Sequence, residues 1–182
     1  IQIDRKGFNH TSHWADYAGI VPHIPECTGF DRLVRIIGRQ PRKVKARNEG
    51  YILVLCQVDG DEQLGQREIH HADTLVDVVT DAVIGDVEVK VRAHPLGKRY
   101  LKNRTITHGM LKEDIAGARF CVTINSNAGN DAISYGCPVL SFGPSVYQKA
   151  GMAKKARVRT IVDNIQIMLN GWGPDGDSNL YL

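Results

Sequence analysis

From Tyr51 onward the chain predicts an α/β domain: a parallel sheet with helices on both faces. Short runs rich in β-branched and aromatic residues alternate there with longer stretches of helical period, the pattern of βαβ units. Tyr51-Ile-Leu-Val-Leu-Cys56 is apolar throughout, as expected of a strand covered on both sides. Leu75, Val78, Val79, Ala82 and Val83 then recur on one helical face.

The remaining elements follow in order. Val87–Arg92 reads as a second strand, and Arg104–Thr107 as a short third. Lys112–Ala118 reads as a small helix leading into a strand at Arg119–Ile124. Ala128–Tyr135 is expected to be helical, stopped by Gly136 and Pro138, with Pro138–Phe142 the next strand. Val158–Leu169 reads as a closing helix, and Gly171–Gly176 as a tail. Residues 49–182 thus form the domain. Residues 1–48 hold no sustained period, and an irregular arm or linker is expected there, with one short helix at Phe30–Ile37. Arg32, Arg35, Arg39, Arg42, Lys43, Lys45 and Arg47 make its end basic, with no aromatic residue interleaved for base stacking, so it reads as solvated.

Size and composition bound the rest. A length of 182 residues suits one ordinary domain. The 42% hydrophobic and 24% charged residues are those of a globular protein, and no apolar run approaches the roughly 18 residues of a membrane span. Lacking an initiator Met, the sequence reads as a truncation. Cys27, Cys56, Cys121 and Cys137 form no C-x-x-C pair, and buried free thiols in a reducing, cytoplasmic compartment are expected. A net charge of +3 does not by itself point to a polyanionic partner.

Three clusters could carry chemistry. In the stretch from Ile124 to Val139, a buried strand ends in small polar residues and a helix starts at once. First-turn N–H groups without intrahelical partners and the positive end of the helix dipole would suit a phosphate. Ser126 and Asn127 can cap that helix, Ala128 and Gly129 leave room for close approach, and Asn130 and Asp131 follow, the carboxylate available to a ribose hydroxyl. Ordinary capping explains the same residues. Lys90, Arg92 and His94 alternate along a strand and share one face if it runs regularly, with Pro95 and Lys98 beyond. That places cations where ligands bind open α/β sheets, although a solvated edge strand would look alike. Gln57 opens the loop after the first strand, and the acidic residues behind it form a turn without the ligand ladder of a calcium loop. No zinc pattern, P-loop, G-x-G-x-x-G or nucleophile elbow occurs, so no metal site is expected.

Taken together, Gln57 after a buried strand, Arg92-Ala-His94-Pro95, Ser126 through Pro138-Val and Ser141-Phe-Gly143 through Tyr147 and Gly151 resemble the donor domain of capsule-polysaccharide-type glycosyltransferases, the group containing bacterial Kdo transferases. Gly7 through Trp14 and Asp31-Arg32 also resemble phage and prophage relatives of that group. The resemblance covers about residues 50 to 153. It implies a Rossmann-like domain, one half of a GT-B fold, holding a CMP-, UDP- or GDP-linked sugar through Gln57, Arg92, His94, Lys98, Ser126, Asn127, Ala128, Asn130 and Asp131. Several capsule enzymes of this group show Lys where Arg92 stands, and many GT-B enzymes use Glu for the ribose where Asp131 stands. The nucleotide sugar would be substrate, with no cofactor and no metal, and N–H groups and basic side chains would steady the leaving phosphate. The acceptor, a carbohydrate or a modified nucleobase, would belong to a missing N-terminal domain or partner chain. That half would also supply the base, which leaves the catalytic residue unassigned, with His10, His13 and Asp16 of the arm as reserve candidates. A phage DNA-base glycosyltransferase, a nucleotide-sugar epimerase and a non-catalytic nucleotide-binding module are the competing readings.

Overall fold

The computed structural model describes residues 42–59, 68–97, 104–149 and 151–173. The chain divides into two compact units, and the described residues all belong to the second, Arg42–Leu180. Most of the expected arm, including the helix at Phe30–Ile37 and the reserve candidates His10, His13 and Asp16, lies outside the described residues, as do Cys27 and Lys98.

The sheet contains β1 (Tyr51–Leu55), β2 (Val89–Arg92), β3 (Thr105–Ile106), β4 (Ala118–Thr123), β5 (Val139–Ser141) and β6 (Lys154–Lys155). All neighbours run parallel, in the order β3-β2-β1-β4-β5-β6. The helices are α1 (Ala72–Ala82), α2 (Leu111–Gly117), α3 (Ala128–Ser134), α4 (Val146–Lys149) and α5 (Ile161–Leu169), the last preceded by a 3-10 turn at Val158–Thr160. The two-residue side-chain period of β1 sorts the core. Ile52, Val54 and Cys56 pack with Leu75, Val79, Ile161 and Ile165 on the face covered by α1 and α5. Leu53 and Leu55 pack with Ile115, Ala132 and Tyr147 on the face covered by α2 and α3. Helices on both faces, as expected, follow from a β1 that is apolar on both.

Differences from the expected elements are small and local. On α1 the buried residues are Leu75, Val76, Val79 and Ala82, so Val76 joins the stripe while Val78 and Val83 stand at its margin. The helix α4 and the strand β6 are too short for hydrophobic period to reveal. Cys56, Cys121 and Cys137 are buried free thiols. Among the described residues no helix is long and apolar enough to cross a membrane.

Residues 42–47 run without helix or strand, and they are fastened to the C-terminal end of α3. Arg42 N–H donates to Ser134 O at 2.9 Å, Lys45 N–H to Gly136 O at 3.4 Å, and Val44 is buried. Gly136 ends α3 with φ +72°, and a Cβ there would stand 2.8 Å from Lys43 O, so both conformation and space require glycine. Arg47 departs from the solvated basic reading. Its guanidinium donates to the carbonyls of Ile115 and Ala118 at 2.7 Å and of Tyr135 at 3.2 Å, tying α2, β4 and α3 together. Replacing Arg47 with Met keeps the apolar stem and removes these charge-assisted hydrogen bonds. A loss on the order of 2–3 kcal/mol in unfolding free energy is expected by urea denaturation, whereas Lys43→Met, at an exposed position, is expected to change little.

Candidate functional site

The order β3-β2-β1-β4-β5-β6 reverses direction between β1 and β4, because the chain builds outward from β1 on one side and then returns to continue from β4 on the other. Loops leaving the carboxyl ends of these two strands must diverge, and a crevice opens between them. A cavity of about 230 Å³ lies there. Its wall is made by Leu55 to Val58 after β1, Arg92 to Pro95 after β2, Leu111 at the start of α2, and Asn125 to Ala128 between β4 and α3. Of the residues singled out in the sequence, Gln57, Arg92, His94, Ser126, Asn127 and Ala128 meet in this one place.

Each is held by a nameable contact. Thr123, at the last register position of β4, donates its hydroxyl to Leu55 O at 3.0 Å and accepts from Ser126 N–H at 3.1 Å, which bends the loop back over the strand end. Gln57 reaches across from β1, its Oε1 accepting from Asn125 N–H at 2.9 Å. The Gln57 amide NH₂ then has no partner among the described residues and stands on the cavity wall. His94 Nδ1 accepts from Leu96 N–H at 3.1 Å. In a neutral ring that contact places the proton on Nε2, which makes His94 a donor toward a ligand oxygen.

Arg92 and Lys90 share the face of Leu55 and Leu53, with which they are in register, so the expected alternation holds for them. Their charges are not free. Arg92 NH1 pairs with Asp114 Oδ2 and donates to Gly109 O at 2.8 Å. Lys90 Nζ lies 4.0 Å from the Tyr51 ring centroid and 3.5 Å from Glu88, away from the cavity. Among the described residues, the expected cationic strand end is therefore one compensated guanidinium beside neutral donors, with Lys98 outside them.

The helix start also differs from expectation. Gly129 N–H donates to Ser126 O and Asn130 N–H to Asn127 O, both at 2.9 Å, while Ala128 N–H reaches Ser126 Oγ at 3.3 Å. A tightened first turn has thus used donors expected to be open. Ser126 caps weakly; Asn127 stands at the cap position in a helical conformation and makes no side-chain cap. The exposed Asn127 amide remains on the cavity wall. Asn130 is 5% exposed, and neither it nor Asp131 lines the cavity. Of the acidic residues after Gln57, Asp59 lies among the described residues, and it caps α1 by accepting Ala72 N–H at 2.8 Å.

Two further residues shape the wall. Burial, reinforced by Asp59 and Asp73, pushes the Cys56 thiol up to about 12, so this wall residue stays neutral. Tyr147, 1% exposed, donates its hydroxyl to Ser126 O at 3.0 Å while its ring fills the space over Gly129. The sequence signal was the Tyr between Gly143 and Gly151; the contact itself joins residues 21 apart.

The fold is a Rossmann-like α/β domain with its crevice at the switch point. No protein-family model matches the chain. Among curated proteins it is similar to Protein FixF of Sinorhizobium fredii (strain NBRC 101917 / NGR234), 26% identical, over 97% of this chain and 48% of FixF. Among solved structures it is similar to the KpsC beta Kdo 2,7 transferase of Thermosulfurimonas dismutans, with a TM-score of 0.52 and 18% identity over 80% of this chain and 54% of that one. A match to the spinosyn forosaminyltransferase SpnP has a TM-score of 0.41 and 11% identity, over 68% of this chain and 36% of SpnP. The KpsC likeness shows the fold, which is shared with a glycosyltransferase, as the sequence resemblance implied. The chain spans about half the length of both FixF and KpsC.

A Cβ on Gly129 would stand 2.6 Å from the Tyr147 ring. Gly129→Ala is expected to cost about 1–3 kcal/mol by overpacking, and Tyr147→Phe about 1 kcal/mol through the lost hydrogen bond. Thermal denaturation of the two variants checks both size and order.

Proposed function

We propose that this domain binds the nucleotide-sugar donor of a glycosyltransferase. The observation that carries the reading is position: six of the residues expected to hold the donor line one cavity at the β1/β4 switch point. The likeness in fold to a Kdo transferase supports it. In this reading His94 and the Gln57 and Asn127 amides donate to phosphate and sugar oxygens, and Arg92 faces the phosphate. Asp131, one turn along α3 from Asn127, is assigned to a ribose hydroxyl.

The electrostatics favour one donor class. Among the described residues the wall carries one formal cation, already paired with Asp114. The phosphodiester of a CMP-linked sugar has one negative charge, whereas the diphosphate of a UDP- or GDP-linked sugar has two. A compensated guanidinium with neutral donors suits the first. Calorimetry with CMP, UDP and GDP tests this, with CMP expected to bind most tightly. Arg92→Ala is expected to weaken CMP binding by roughly tenfold or more, the loss of one charge-assisted hydrogen bond. Equal, negligible heats for all three nucleotides would end the nucleotide reading.

The acceptor and the base are assigned to a second half, in keeping with the chain's span of about half of FixF and KpsC. Placement of both reactants supplies a large part of the barrier reduction. Incubated with donor and candidate acceptors, the 182-residue chain alone is expected to bind nucleotide without releasing it from the sugar. Robust turnover by this chain would place acceptor site and base within it.

A further inference from the structure

We infer that Asp114 is a positioning residue of the cavity, holding the Arg92 guanidinium in the orientation that receives the ligand's phosphate. The inference rests on the reading of the cavity as a nucleotide site and deepens it.

Arg92 ends a four-residue strand, and a long side chain at such a place costs rotamer entropy to fix. What fixes it is one corner of the guanidinium. NH1 alone makes both recorded contacts, to Asp114 Oδ2 and to Gly109 O. The edge formed by Nε and NH2 has no partner among the described residues. A planar guanidinium can offer such an edge to two oxygens of one phosphate. Pinning NH1 fixes the plane and leaves that edge for the ligand, whereas a pair serving stability alone could have consumed the edge itself in a fork-to-fork contact.

Asp114 is itself firmly placed. It is 7% exposed, and a carboxylate so buried is tolerated only when paired. Its backbone is drawn toward β1 by the Tyr51 hydroxyl, which donates to Asp114 O at 2.7 Å. At the same helix start Glu113 accepts from Met110 N–H at 3.3 Å. The sheet thus places Arg92, α2 places Asp114, and Tyr51 keeps the two elements together. Asp114 does not line the cavity, so its influence on a ligand passes through Arg92.

The test measures affinity for CMP, UDP and GDP by calorimetry on the full chain, with thermal denaturation recorded for every variant. Asp114→Ala removes the anchor, and nucleotide affinity is expected to fall to a degree comparable with Arg92→Ala. Asp114→Asn keeps an acceptor oxygen for NH1 and is expected to recover most of that loss. The double variant R92A/D114A is expected to bind no more weakly than R92A, since both substitutions act through one guanidinium. A folded Asp114→Ala protein with wild-type affinity overturns the inference and leaves the nucleotide reading standing. So does an Asn variant as weak as the Ala variant, or a double variant weakened by the sum of the single effects. Failure of the unaltered chain to bind any of the three nucleotides overturns the nucleotide reading, and the inference with it. If Asp114→Ala does not fold, the Asn variant and the comparison with R92A decide the matter.

Discussion

The cavity depends on one hydroxyl. Thr123 has no exposed surface, yet it gives a hydrogen bond to the end of β1 and takes one from the loop after β4. Without it the direct side-chain tie left at this junction among the described residues would be that of Gln57 to Asn125 N–H. With it, the chain leaving β4 is folded back so that Asn125 to Ala128 face the residues leaving β1. Gln57 then closes the same junction from the other side through Asn125 N–H, and Tyr147 fixes Ser126 O from above. A valine would fill the space Thr123 occupies and perform neither function, because it lacks the hydroxyl.

Charge in the site is arranged sparingly. The sequence offers Lys90, Arg92 and Lys98 near the strand end, which suggests a strongly positive surface. Lys90 is turned to Tyr51 and Glu88, and Arg92 is paired with Asp114. If the cavity takes a nucleotide as proposed, the direction of neutral donors around one paired guanidinium would contribute more than net attraction, and binding would be less sensitive to salt than at an open basic patch.

Much of this was legible in the chain. The apolar runs of β1, β4 and β5 and the stripe of α1 announced the sheet and its layers, because burial on both faces leaves an unbroken apolar signature. Gln57, Arg92, His94, Ser126 and Asn127 were legible as a site because a parallel sheet brings all its carboxyl ends to one edge. What local pattern could not supply was the partner of each side chain. Arg47 looked solvated, since its carbonyl acceptors lie 68 to 88 residues away. Asp114 carried no signal of its own within the helix expected at Lys112–Ala118, and only the fold brings it to Arg92. The open N–H groups expected at α3 were consumed by a tightened turn, a choice of backbone dihedrals that residue identity does not specify.

The pairing of β1 with β4 joins residues 68 positions apart, with β2 and β3 both formed from the intervening chain. Loop closure of that length must precede any reward from the contact, so this seam belongs to the slow, non-local part of folding. During synthesis a chain emerging only as far as β3 holds β1 and β2 but no crevice, which forms only when β4 docks beside β1. Ligand bound at the seam would, in turn, bridge the two halves of the sheet and hold back the opening event that separates them.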